Sequence, residues 1–110
     1  MKDPKTLATS AGINTRDTRF IKPAADDTFA VCFESVENIG PDNLPALLTR
    51  HSATIEFYAK KGDASSRSAQ SALENAMSAA GVEWTKSDRI WLEEEKIFQT
   101  VYNYQYLLKG

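Results

Sequence analysis

The stretch LEEEKIFQTVYNYQY, residues 92–106, decides the fold. Three glutamates stand in a row. Aromatic residues then recur an even number of residues apart, at Phe98, Tyr102, Tyr104 and Tyr106. A period of two is that of a β-strand, in which alternate side chains share one face. The stretch therefore predicts a hairpin tip that carries the glutamates, followed by a long strand with an aromatic face.

The three glutamates, Glu93, Glu94 and Glu95, do not converge on one point by themselves. Consecutive strand residues point to opposite faces, and residues two apart are separated by about 7 Å. A hard cation needs several converging oxygen ligands, and no DxDxD or HxxxH spacing supplies them. We therefore interpret the glutamates as a solvated turn and expect no metal site.

The aromatic strand could instead be a platform for nucleic-acid bases, but such platforms are paired with a basic groove. The chain has 13 Lys and Arg against 15 Asp and Glu, a formal net charge of −2, and no RNP1 pattern. We expect the inner part of the aromatic face to pack beneath a helix. The outer tyrosines are expected at the sheet edge or in a subunit interface. The sequence predicts no specific nucleic-acid binding.

The composition is that of one small globular domain. The chain has 110 residues, 42% of them hydrophobic and 25% charged, which is enough for a single core. The only cysteine, Cys32, can form no internal disulfide, and this favours a reducing compartment. We find neither a secretory signal nor an apolar run that could span a bilayer, so we expect a soluble protein without a membrane partner.

Catalytic motifs are not found in the sequence. Cys32 and His51 form the only possible Cys/His pair, and GxSxG, HExxH, CxxC and Walker patterns are not present. A lone cysteine on a strand is far more often a small packing residue than a nucleophile. We expect a protein that is not an enzyme, with no catalytic residues and no cofactor.

A long amphipathic helix is predicted over 64–80. Apolar residues recur there at spacings of three and four, namely Ala69, Ala72, Leu73, Ala76, Met77 and Ala80. Asp63 can cap the start of this helix, and Gly81 can take the left-handed conformation that ends it. A stripe made mostly of alanine permits close approach to a sheet.

A short helix is predicted over 4–11, with Asp3 as its cap and Gly12 as its stop. Strands follow from the alternation in TFAVCFESVE and ALLTRHSATIEFYAKK, and further strands come after the long helix. The fold class is therefore α+β, a single domain over 1–110 in the order α-β-β-α-β-β. Its mainly antiparallel sheet is packed by the long helix plus the short N-terminal helix. Residues 1–27 hold the short helix and a connection, and 28–110 hold the sheet and the long helix.

Several segments taken in order, FAVCFESVENIGPDN, HSATIEFYAKKGD, the alanine-rich helix and GVEWTKSDRIWLEEEKIFQTVYNYQY, resemble the small tail-completion proteins of tailed bacteriophages. These are also described as tail terminators or head–tail joining proteins. The resemblance covers about residues 20–108 and concerns the order of elements more than any single motif. It places a turn near Glu94–Lys96, although no glycine or asparagine is present there, and a turn at Ser87–Arg89 stays open.

The resemblance implies a virion component that is assembled in the bacterial host cytoplasm. Such proteins form a ring, usually of six subunits, that caps the tail tube or links it to the head connector. The resemblance implies no cofactor and no catalytic residues. Two patches could supply the contact between subunits: one at Tyr104, Tyr106, Leu107 and Leu108, and its counterpart at Leu44, Leu47 and Leu48.

An alternative from a different class is a small cytoplasmic α+β module that binds a ligand or a partner as a dimer. The two readings differ in their symmetry, because a ring needs two different patches on each subunit and a dimer needs one. Concentration-dependent size therefore separates them.

Overall fold

The computed structural model describes residues 2–13, 15–16, 28–39, 48–60, 64–94 and 96–109. Over these residues the chain is α+β, which confirms the expected fold class. Helix α1 spans Pro4–Ser10 and helix α2 spans Ala64–Ala79. The strands are β1 Thr15–Arg16, β2 Thr28–Ile39, β3 Leu48–Ala59, β4 Trp84–Lys86, β5 Ile90–Leu92 and β6 Ile97–Lys109.

All described strands join one sheet in the order β1-β2-β3-β6-β4, with β5 also paired to β6. The pairs are antiparallel except for the short parallel pair β1–β2, which the sequence did not predict. Strand β6 bonds β3 on one side and both β4 and β5 on the other. Most of the stretch 92–106 therefore lies in β6, a central strand of the sheet.

Helix α1 forms for the local reasons that the sequence contains. The Asp3 carboxylate accepts a hydrogen bond from the Thr6 N–H at 3.0 Å, and Pro4 occupies the first turn. Gly12 has a φ of 80°, and the Ile13 N–H then reaches back to the Ala8 carbonyl at 3.0 Å. The helix ends one residue earlier than expected.

Helix α2 lies on the sheet through an apolar stripe. Leu73 and Met77 are fully buried, and Ala69 and Ala80 pack against the same core. Gly81, at a φ of 77°, ends the helix, and the Val82 N–H bonds the Met77 carbonyl at 3.3 Å. The expected stop is confirmed, whereas the expected cap, Asp63, lies outside the described residues.

Both faces of the sheet bury side chains. On the face that carries the helices, the core includes Ala30, Ala53, Ile55, Phe57, Tyr102, Tyr104 and Tyr106. On the opposite face, a smaller cluster joins Phe29, Val31, Tyr58 and Ile97. We call these the helix face and the far face. The apolar residues of β2 that share a face, Phe29 and Val31, thus lie away from the helices.

The segment between β4 and β5 has one residue more than the part of β6 that it faces. Lys86 lies opposite Tyr102 and Ile90 lies opposite Gln99, so three residues of the edge face two of β6. This is a β-bulge, and it reverses the alternation of side chains that follows it. The Ser87 hydroxyl fills the gap in the ladder, because its Oγ accepts the Val101 N–H at 3.0 Å.

The chain reverses direction between β5 and β6, at the position the resemblance implies. Lys96 has a φ of 56°, a left-handed conformation, and its N–H bonds the Leu92 carbonyl at 2.7 Å. A lysine thus takes the conformation that a glycine or asparagine usually supplies in a turn. The segment Ser87–Arg89 is the bulge rather than a turn, which resolves the alternative that the sequence left open.

Candidate functional site

The sheet has one end at which both outer edges are open. Strand β1 pairs only with Ala30 and Val31 of β2, so the outer edge of β2 from residue 32 to 39 has no ladder partner in the described part of the chain. Strand β4 reaches only to Tyr104 of β6, and residues 105–109 likewise have no outer partner there. Such edges present unpaired backbone N–H and C=O groups to another strand.

We call residues 35–39, 48–52 and 105–109, where the three long strands run together, the open end of the sheet. Large apolar side chains are exposed on and beside it: Phe33 is 50% exposed, Val36 57%, Leu107 53% and Leu108 48%. Single exposed apolar residues are ordinary. Their position along two open backbone edges is what favours association with another strand.

The two edges differ in charge. The β2 edge carries Glu34 and Glu37 and no basic residue between 32 and 39, whereas 105–109 contains Lys109 and no acidic residue. Glu37 contacts Arg50 of β3 at 3.3 Å, and both side chains are largely exposed. The two edges therefore differ in charge, and a head-to-tail contact between identical subunits joins two such different surfaces.

The leucines predicted as interface residues fall into three groups. Leu107 and Leu108 are about half exposed on β6. Leu48 is half-buried at the last row of the open end, between Ile39 and Lys109. Leu44 and Leu47 lie outside the described residues.

The two tyrosines predicted with them lie inside the subunit. Tyr104 is 4% exposed and Tyr106 is 8% exposed, and both belong to the core on the helix face. The Tyr104 hydroxyl donates to the Lys2 carbonyl at 2.5 Å, which ties the start of the described chain to β6. The two tyrosine rings therefore belong to the core beneath the open end, and Leu107 and Leu108 are the exposed apolar residues of β6 there.

Tyr106 belongs to a polar cluster that crosses the three strands. Its hydroxyl donates to Glu34 Oε2 at 2.5 Å, and its ring stacks on His51 with centroids 4.7 Å apart. His51 Nδ1 lies 3.1 Å from Glu34 Oε1. Burial, together with the hydrogen bond and negative charge of Glu34, raises the pKa of Tyr106 above its ordinary value. On the helix face of the open end, the cluster thus links the side chains of β2, β3 and β6.

Thr49 joins this cluster, so that a hydroxyl, an imidazole and a carboxylate are linked in the same order as in a catalytic triad. Its Oγ1 lies 3.0 Å from His51 Nε2, and His51 in turn contacts Glu34. Acyl transfer also needs free N–H groups beside the nucleophile, but Thr49 sits in a strand paired on both sides, with Asn38 and Leu108. The Leu108 carbonyl, 3.4 Å away, is a second acceptor for the hydroxyl proton. We assign this chain of hydrogen bonds a role in joining strands.

A second polar network lies between α2 and β4. The Tyr102 hydroxyl donates to Glu74 at 2.6 Å and accepts from Gln70 at 2.8 Å, while Lys86 pairs with Glu74 at 3.0 Å and Arg89 donates to Gln70 at 2.8 Å. An open cleft is lined by Gln70, Glu74, Lys86 and Arg89, but these groups bond to one another or to Tyr102. Sequence reasoning missed this network because its members are far apart in the chain.

Cys32 packs against the core of the helix face, and Glu93 and Glu94 lie in the turn that follows β5. Burial raises the pKa of the half-buried Cys32 thiol to about 11, so little reactive thiolate forms near neutral pH. Glu93 and Glu94 are exposed in the turn, and Glu93 accepts a hydrogen bond from the Trp91 indole. Glu95 lies outside the described residues. Among the residues that the structure describes, no cluster of His, Cys, Asp and Glu has the form of a metal site.

Comparison of the chain with protein-family models and with curated protein sequences gives no match. Within the described ranges, neither helix combines the length and the apolar character that a membrane crossing requires.

Proposed function

We propose that this protein is a non-enzymatic structural subunit of a tailed bacteriophage or prophage. In this proposal it assembles as a ring, of six subunits in the particle, that caps the tail tube or joins it to the head connector. The observation that supports it most directly is the open end of the sheet. Two unlike edges lie there on opposite sides of the same three strands.

Unlike edges favour a ring over a two-fold dimer. When one surface binds a different surface on the next copy, the contact repeats in one direction and closes if the rotation allows it. The exposed Val36 on one edge and the exposed Leu107 and Leu108 on the other provide apolar surface for such a contact. The neighbouring partners are then the tail tube and the head–tail connector, at the two faces of the ring.

The alternative, a dimeric binding module, has one observation in its favour. The cleft between α2 and β4 is lined by charged and polar side chains, including Arg67, Glu74, Lys86 and Arg89. Three of these are occupied by internal contacts: Lys86 pairs with Glu74, and Arg89 bonds Gln70. Sedimentation over a wide concentration range separates the two functions, because only the ring grows beyond two subunits.

The test of the tail role is genetic. The gene is deleted from the phage or prophage that carries it, and particles are examined by electron microscopy. We expect tails of uncontrolled length, or tails and heads left unjoined, and rescue by the normal gene. Tails of normal length joined to heads would refute the proposal.

A complementation variant links that result to the open end of the sheet. Leu107→Asp with Leu108→Asp places two charges on exposed positions, so the subunit should fold and yet fail to rescue assembly. The matched control, Asn75→Asp with Ser78→Asp on the exposed side of α2, adds the same charge and should rescue normally.

A further inference from the structure

We infer that neighbouring copies of this chain join through a parallel β-ladder between the free edge of β6 in one copy and the free edge of β2 in the next. This inference rests on the proposed ring and specifies the contact that builds it. The occupant of each edge is therefore a second copy of the same chain.

The direction of the ladder follows from the topology. Strands β2 and β6 each run antiparallel to β3, so they run parallel to each other. A rotation that continues the sheet from one copy into the next brings β6 beside the neighbour's β2 with both strands pointing the same way. A two-fold axis would instead pair β2 with β2 or β6 with β6, in antiparallel fashion.

The register follows from matching the faces of the sheet. Val36 and Leu108 are both on the helix face, and each is about half exposed in the subunit. Placing them opposite each other sets Ser35 opposite Leu107 and Glu37 opposite Lys109. The register thus buries two apolar side chains on one face and brings an acidic residue beside a basic one.

Strand β4 limits the length of this ladder. Trp84 already occupies the place beside Tyr104, so an incoming strand can pair only with the part of β6 that follows. A short parallel ladder is a weak contact by itself. We therefore expect a subunit that is monomeric when dilute and that assembles when many contacts form together, as around the end of a tube.

Disulfide trapping tests the contact with two single-cysteine proteins. Both carry Cys32→Ala, which removes the native thiol, and they differ by Val36→Cys on β2 or Leu108→Cys on β6. Paired strands lie about 4.8 Å apart, within the range that a disulfide spans. We expect the oxidised, concentrated mixture to give several-fold more linked pairs than either protein alone, joined between positions 36 and 108.

Two results would overturn the inference. One is linkage of the Val36→Cys protein to itself as efficiently as in the mixture, because that indicates pairing of like edges. The other is a mixture that links no more than a control mixture in which Asn75→Cys, on the exposed side of α2, replaces Leu108→Cys. Circular dichroism of each variant confirms that it is folded.

The outcome is separable from that of the proposed function. Rings seen by microscopy without the 36–108 link would overturn the ladder and leave the ring standing. A 36–108 link in a protein whose gene is dispensable for tails would support the ladder and remove the tail role.

Discussion

Three tyrosines of β6 bury their rings and keep their hydroxyl groups bonded to fixed acceptors. Tyr102 donates to Glu74, Tyr104 to the Lys2 carbonyl and Tyr106 to Glu34. Burial raises the pKa of all three, and adjacent negative charge adds to the effect. A phenol held in this way stays neutral in the folded protein at a pH where an unfolded tyrosine ionises.

This arrangement predicts a loss of stability at alkaline pH. An unfolded tyrosine loses its proton near its ordinary pKa of 10.0, while the folded residues keep theirs. Above that pH the unfolded chain binds fewer protons, so the free energy of unfolding falls as pH rises. Each tyrosine contributes up to about 1.4 kcal/mol per pH unit. Urea melts followed by circular dichroism, at a series of pH values from about 8 to about 11, measure the slope.

The Tyr104→Phe variant is the internal comparison for this prediction. It retains the ring and removes one ionisable group, so its stability should fall with pH less steeply, by about one proton. Absorbance of tyrosinate should appear together with unfolding. Ionisation of all the tyrosines while the protein remains folded would contradict the assignment.

At the scale of elements, the packing of α2 on the sheet depends on two large side chains between small ones. Leu73 and Met77 are fully buried, and the flanking Ala69 and Ala80 allow the helix to lie close. Because the surrounding core is fixed by strand pairing, a cavity beneath the helix would close only in part.

Leu73→Ala should therefore lower the free energy of unfolding by about 2–5 kcal/mol, because it removes a buried side chain and leaves a cavity. The matched change Leu108→Ala removes the same atoms from an exposed position and should stay within about 0.5 kcal/mol of the parent. Chemical denaturation of the dilute monomer gives both values. Equal effects of the two substitutions would place Leu73 outside the core.

The elements that could be predicted are those with a local cause. Helix α1 has its cap and stop in the sequence, α2 has a period near 3.6, and β6 has a period of two. Alternation also showed which residues of β2 share a face, but not which face the helices cover. Both faces of that strand carry apolar residues, so only the packed chain decides.

The candidate site was predicted less well, for a physical reason. Aromatic alternation was compatible with a buried face or an interface, and the burial of Tyr104 and Tyr106 depends on partners distant in sequence. Leu107 and Leu108 lie past the start of β4, because its first residue, Trp84, pairs with Tyr104, and this register has no signal in the sequence near them. Neither feature has a local signal.

The whole molecule is elongated, with extents of 50 × 27 × 22 Å. Strands β2, β3 and β6 run much of that length, and the short strands β1, β4 and β5 flank them only in part. Among the described residues, this leaves a three-stranded end whose two outer backbone edges have no strand partner.

Hydrogen exchange can compare the two ends directly. In the dilute subunit, the outward-facing amides of 33–38 and 105–108 should exchange fast, because no described strand pairs with them, and they should slow on assembly. Amides of 53–57 and 102–104, paired on both sides in the centre of the sheet, should exchange slowly in both states. Equal protection of the two edges before and after assembly would show that they do not meet.

The bulge at Ser87–Arg89 also has a consequence for how the sequence can change. After it, Trp91 lies on the side of Phe98 and Leu92 on the side of Ile97. Removing any one of these three residues leaves two opposite Val101 and Thr100, which restores a regular ladder and keeps Trp91 and Leu92 on their present sides. Removing two leaves one residue for those two positions, so a regular ladder would then set Trp91 opposite Gln99 and Leu92 opposite Phe98, exchanging their sides. We expect single-residue deletions at these positions to be accepted and two-residue deletions to be rejected.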